Sequence, residues 1–191
     1  MARARLSTAL VVDAAIELVD QQGQTALTLA AVASRTGVAT PSLYKHVRNL
    51  AALRQKVSAR VTAELAHTLS TAIAGRSGQA ALQAIAHAYR DYATAHPGRY
   101  PMTQRVPDAE DPEHLAAGDQ AVQAVLAALR GYGLQGDEAI DATRVTRSAL
   151  HGFVSLEVDG GFGLPQDVGR SFERLVSALH VSLSDWTKVA R

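Results

Sequence analysis

The 191-residue chain has no cysteine. That excludes a disulfide framework, a thiolate zinc site and a cysteine nucleophile, and it suits a reducing compartment. Aromatics are scarce, with five Tyr, three Phe and one Trp. Alternating β-branched runs bounded by turn residues are hard to find, while apolar positions recur at helical spacing, so the chain reads as all-α. No apolar stretch reaches the roughly 18 residues needed to span a bilayer, because Asp, Glu, Arg or Gln interrupts every candidate. The opening Met1-Ala-Arg-Ala-Arg5 is charged like a signal-peptide start, but Asp13, Glu17 and Asp20 stand where an apolar segment would follow. The expectation is a soluble, cytoplasmic protein. Net charge is also nearly absent, with 19 basic against 18 acidic residues, and taken whole it gives no hint of a polyanionic partner.

What is present is globular: 47% of residues are hydrophobic and 19% charged, enough for one compact domain or a small domain fused to a larger one. A first helix is expected from Ser7, a capping residue, to Gly23, with Val12, Ala15, Ile16 and Val19 on one face. Short helices follow over about 28–36 and 40–47, and a long one from Asn49 to about Ala74. Further helices are expected over 79–95, around Val122 to Leu129, over 137–158, and after Pro165, where Phe172, Leu175, Val176, Leu179, Leu183 and Trp186 form a stripe. Four of the six prolines fall between Pro97 and Pro112, in an irregular stretch.

The near-zero net charge is unevenly distributed. Residues 1–56 carry seven basic and three acidic side chains, a net +4, and the remainder carries −3. Between Asp20 and Glu64 there is no carboxylate but there are six Lys or Arg. Inside that window Leu27 to His46 reads as two short helices turning at Gly37, a helix-turn-helix. Ala33 and Val38 are small enough for close crossing, and Gly37 can take positive φ. Thr40-Pro41 is a strong helix start. The second helix offers Thr40, Ser42, Tyr44, Lys45 and His46 to solvent, while Leu43 and Val47 face inward. Such a helix fits a DNA major groove. The expected organisation is a DNA-binding domain over 1–50 and a larger helical domain over 51–191.

The run Pro41-Ser-Leu-Tyr-Lys-His-Val-Arg-Asn49, with Ala14 to Val19, Gly23, Leu27-Thr28, Val32-Ala33 and Gly37-Val38, resembles the N-terminal domain of TetR-family transcriptional repressors. The likeness covers about residues 7–60; more loosely, Ser148 to Glu157 with Gly160-Gly-Phe-Gly163 and His96-Pro97-Gly98 is similar to one branch of TetR-like C-terminal domains. The resemblance implies DNA contacts through Thr40, Pro41, Ser42, Tyr44 and His46, with Thr28 at a phosphate. Leu29 and Ala30 replace polar or basic residues that read bases in the family's namesake. Leu50 replaces a phosphate-binding Lys, for which Lys45 and Arg48 are substitutes.

The resemblance also implies a dimer through the last two helices, and Ala149, Gly152, Ser155, Phe172, Leu175, Leu179, Leu183 and Trp186 suit such an interface. Burial of those stripes within their own domain is the alternative. A small organic effector is expected among Tyr89, Tyr92, His96, Arg99, Tyr100, Met102, Arg105, His114 and Phe153. The partners expected are thus duplex operator DNA, a second copy and an effector. No enzyme activity, metal or cofactor is expected: H-E-x-x-H, G-x-S-x-G and a P-loop lysine are all missing, and seven scattered histidines form no ligand pair. Gly131-Tyr-Gly-Leu-Gln-Gly136 has a dinucleotide-binding spelling, but it follows a helix and reads better as a helix stop, turn and restart.

Overall fold

The computed structural model describes residues 6–186, which form eight helices with no strand among them. These are α1 (Thr8–Gln22), α2 (Leu29–Thr36), α3 (Thr40–Leu43), α4 (Leu50–Ile73), α5 (Gly78–Ala95), α6 (Pro112–Leu129), α7 (Gly136–Val158) and α8 (Val168–Ser184). No helix is long and apolar enough to cross a membrane among the described residues. The chain divides into two compact units, residues 6–64 with 96–118, and residues 65–95 with 119–186.

Local chemistry explains most of the boundaries. The Ser7 hydroxyl accepts the Leu10 N–H at 3.2 Å and starts α1. Thr28 does the same for Ala31 at 3.1 Å and starts α2. The Asn49 side chain accepts the Ala52 N–H at 2.8 Å to open α4, and Asp167 accepts from Gly169 at 2.8 Å to open α8. Gly37 adopts φ 67°, ψ 33°, the left-handed geometry that ends α2 and that a side chain would strain.

Three expectations about boundaries change. Helix α3 stops at Leu43 rather than running to Val47: the N–H groups of His46 and Val47 both bond the Leu43 carbonyl, at 2.8 and 2.9 Å, and the chain turns so that Val47 joins the core. Thr40 lies within the first turn of α3 and does not cap it; Ala39 holds that position without a side-chain bond. Asp137 likewise sits in the first turn of α7, behind Gln135.

In the first unit, Val11, Ala15, Leu18 and Val19 of α1 meet Leu27, Val32, Leu43 and Val47, all buried. Leu53, Val57 and Val61 of α4 and the distant Met102 complete this core, so what supports the helix-turn-helix extends past residue 50. The turn carrying Met102 is seated closely: a Cβ on Gly98 would lie 2.3 Å from the Val19 carbonyl oxygen, so only glycine fits.

In the second unit α5, α7 and α8 pack together around Phe172, which is fully buried. The Phe153 ring meets Phe172 edge-on at 5.2 Å and Phe162 at 4.9 Å, and the Arg90 guanidinium lies 5.0 Å from the centre of the Phe172 ring. Arg90 also binds both Glu157 oxygens, at 2.8 and 2.5 Å, which raises its pKa and ties α5 to α7. The 131–136 glycines fill a turn between two helical segments, and Gly131 faces the Gly78 backbone, with its would-be Cβ 2.3 Å from the Gly78 nitrogen. This is the restart read from the sequence, since no strand precedes it.

Candidate nucleic-acid interface

Helices α1, α2 and α3 act as a scaffold that turns one face of the α3–α4 junction to solvent. Leu43 and Val47 anchor that junction, being 0% and 3% exposed. Between them the chain presents Tyr44 and Lys45 outward, with Pro41 exposed and Thr40, Ser42 and His46 half-buried. Tyr44 is 56% exposed, which decides against a core role for its ring. Arg48 and Asn49 are exposed at the start of α4, and Thr28 is exposed at the start of α2 with its hydroxyl held by Ala31. The structure therefore brings Thr40, Pro41, Ser42, Tyr44, Lys45, His46 and Arg48 together on one contiguous turn. Leu50 packs partly buried against the core, so it makes no polar contact of its own.

The face is oriented by pairs behind it. Arg35 of α2 donates to Glu17 of α1 at 3.0 and 2.8 Å and to the Gln21 side-chain oxygen Oε1 at 2.9 Å, locking the two helices. Arg99 binds Asp20 of α1 with Nε at 2.9 Å and also donates from its terminal nitrogens to Asp20 and, at 2.8 Å, to Glu64 of α4. Arg60 lies 3.6 Å from both Asp13 and Glu64. Each carboxylate of α1 is thereby neutralised.

Beside the face runs an open groove of about 660 Å³, wholly within the first unit. Its lining includes His46, Arg48, Asn49, Gln55 and Lys56, together with Arg105 and the acidic stretch Asp108 to Glu113. Lys56 and that stretch were not singled out from the sequence. The charges were visible there, but nothing local told that residues 105–113 would fold beside α4.

The expected effector residues have different surroundings within each unit. Met102 is core, and Arg99 is consumed by Asp20 and Glu64. His114 is 1% exposed and its Nδ1 lies 2.9 Å from the Gln55 side-chain oxygen, with burial holding its pKa below the ordinary value. Arg105 is exposed on the groove. Tyr89 and Tyr92 are buried in the second unit and Tyr100 in the first, where His96 is half-buried; Phe153 belongs to the aromatic cluster around Phe172. Sequence reasoning missed the hydroxyls of Ser58, Thr62 and Thr146, which are buried and lack a hydrogen-bond partner among the described residues.

The expected interface stripe splits in the same way. Phe172, Leu179 and Leu183 are 0%, 6% and 2% exposed, buried within the chain itself, as the alternative reading of the stripe has it. Ala149, Ser155, Leu175 and Trp186 are half-buried and Gly152 is exposed. Around Gly152 stand Val145 and Leu156 of α7, with Val181 of α8 also exposed, at 44%, 52% and 62%.

The comparisons with known proteins agree with this geometry. Residues 11–57 match the model of bacterial regulatory proteins of the tetR family, and residues 82–179 that of the tetracyclin repressor-like C-terminal domain. An uncharacterized HTH-type transcriptional regulator of Mycobacterium tuberculosis is 42% identical over 158 residues, 82% of this chain and 72% of that one. The fold is shared with a TetR variant from Acinetobacter baumannii in complex with minocycline, at TM-score 0.73 and 20% identity over 95% of this chain and 98% of that one. It is shared also with BioQ bound to its natural double-stranded DNA operator, at TM-score 0.71 and 21% identity over 94% of this chain and 99% of the other.

Proposed function

The chain belongs to the TetR family of bacterial transcriptional regulators, and from that premise we propose that it is a ligand-responsive repressor which binds a palindromic operator as a dimer and is released by a small organic molecule. The observation that carries the reading is the turn from Thr40 to Arg48, in which two apolar anchors leave the Tyr44 phenol, the Lys45 amine and the Arg48 guanidinium exposed, with the Thr40 and Ser42 hydroxyls and the His46 imidazole half-buried beside them. Tyr44, Lys45, His46 and Arg48 meet phosphates or base edges in the major groove, and the exposed Thr28 meets a phosphate of the same strand region.

Two half-sites require two copies. Val145, Gly152 and Leu156 recur at i, i+7 and i+11 on the outward side of α7, and Val181 stands out on α8; four exposed positions of this kind on the last two helices support a helical interface between copies. Ala149, Ser155 and Leu175 border it. A dimer sets the two recognition turns about 34 Å apart, one turn of duplex. The buried hydroxyls of Ser58 and Thr62 in the first unit, without a hydrogen-bond partner among the described residues, support an effector with polar atoms to satisfy them. A coupling of roughly 1–3 kcal/mol between effector and operator suffices for release.

Selection of bound duplexes from random DNA tests the reading. A two-fold symmetric consensus with half-sites about one turn apart is the expected result, and recovery of no consensus contradicts it. Thermal shifts across a metabolite panel test the effector: a ligand at about 100 times its Kd adds about 2.7 kcal/mol. A panel without any shift points instead to a DNA-binding regulator that has no small-molecule ligand.

A further inference from the structure

The groove beside the recognition turn carries both signs of charge, and the two signs are treated differently by the fold. Every carboxylate of α1 is paired with an arginine: Asp13 with Arg60, Glu17 with Arg35 and Asp20 with Arg99. Glu64 of α4 is paired as well, with Arg60 and Arg99. By contrast Asp108, Glu110, Asp111 and Glu113 line the same groove as His46, Arg48 and Lys56, yet none of them is in an ion pair among the described residues. Local bonds hold the stretch in place: the Asp108 side chain accepts the Glu110 N–H at 3.1 Å, and Asp111 accepts the His114 N–H at 3.1 Å and so caps α6. The His114 to Gln55 bond ties the first turn of α6 to α4.

A duplex seated on Tyr44, Lys45 and Arg48 brings phosphates to this groove, where an acidic wall whose carboxylates are in no ion pair among the described residues repels them, against the attraction of Arg48, Lys56 and Arg105 on the same groove. We propose that Asp108, Glu110 and Glu113 act as an electrostatic brake on DNA binding, lowering affinity for any duplex regardless of sequence. The inference rests on the recognition turn being the DNA-binding face. Its physical basis is simple. Repulsion between unpaired surface charges acts over about one Debye length, near 10 Å at 0.1 M salt, and does not depend on which base edges are read. The consequence is an operator affinity set below what the basic face alone would give, within reach of a modest release signal.

The test compares the full-length protein with the triple variant Asp108→Asn, Glu110→Gln, Glu113→Gln, which keeps the Asp111 cap and the amide acceptor at 108. Binding is measured by fluorescence anisotropy on the selected operator and on a scrambled duplex. The brake predicts about three- to tenfold tighter binding at 50 mM salt on both duplexes, shrinking to less than twofold at 300 mM. A control variant with the same charge change in the second unit, Asp137→Asn, Glu138→Gln, Asp159→Asn, is expected to gain less than half as much. Glu110→Gln alone, an exposed side chain outside any helix, is expected to give a fraction of the gain and covers the case in which the triple variant does not fold.

Unchanged affinity in both acidic-stretch variants overturns the proposal, as does a gain confined to the operator or an equal gain in the control. Tyr44→Ala and Lys45→Ala are titrated alongside. If they weaken binding while neutralisation changes nothing, the brake alone is wrong. If they bind like wild type, the recognition face itself is wrong.

Discussion

At Arg99 a single guanidinium joins three stretches of chain far apart in sequence, through Asp20 of α1 and Glu64 of α4. A mixed polar and aromatic neighbourhood reads, from sequence, as an effector site; the fold uses Arg99 as a fastener, because two carboxylates saturate its fork of donors. Arg99→Met leaves those carboxylates without their shared partner and is expected to lower stability by about 2 kcal/mol. Adding Asp20→Asn should recover part of the loss, and urea unfolding of the two variants checks both values. His114 supplies a pH dependence. Burial holds its imidazole neutral, so its folded pKa lies below the ordinary value and the unfolded chain takes up the proton first. The stability it contributes is therefore present above about pH 6.5 and is lost as pH falls below that value. Melting of wild type against His114→Gln at pH 7.5 and 5.5 should show a smaller acid loss in the variant. Some loss persists in it, because His151 is also held low by burial.

Among the elements, the parts written in local code were legible. Ser7, Thr28, Asn49 and Gly37 each announce a boundary by what their own side chain, or lack of one, does to the adjacent backbone. The end of α3 was not legible, because it is set by tertiary demand: Val47 must enter the core, and the chain breaks its helix at Leu43 to allow it. The faces of α7 were ambiguous for a related reason. Both sides carry apolar residues at helical spacing, and only packing reveals that Thr146, Leu150 and Val154 turn inward while Val145 and Leu156 stay out. The contact under Gly98 was equally hidden, since the Val19 carbonyl that excludes a side chain there is 79 residues away. Gly98→Ala is expected to cost about 3 kcal/mol, as backbone atoms cannot step aside as a flexible side chain would. A fall in melting temperature of several degrees checks it, and an unchanged midpoint contradicts the close approach.

For the whole molecule, the near-neutral sum of charges conceals a basic DNA-facing end and an acidic remainder. The exposure of the Thr40–Arg48 turn was legible in the sequence because it is a short, contiguous segment with its own anchors, Leu43 and Val47. Which apolar positions of α7 and α8 stay outside was not legible, because that depends on which of several apolar stripes the core consumes. With Phe172, Leu179 and Leu183 inside, the interface proposed between copies centres on the exposed Val145, Gly152, Leu156 and Val181. Leu156→Glu with Val181→Glu should therefore yield a monomer by light scattering at micromolar concentration with helical content retained. A dimer that survives both changes would place the interface elsewhere. The central claim is that the Thr40–Arg48 turn reads the operator, and titration of the selected palindrome with Tyr44→Ala and Lys45→Ala tests it most directly. The expected result is a loss of about 1–3 kcal/mol in binding for each, with the dimer intact; wild-type affinity in both variants would contradict it.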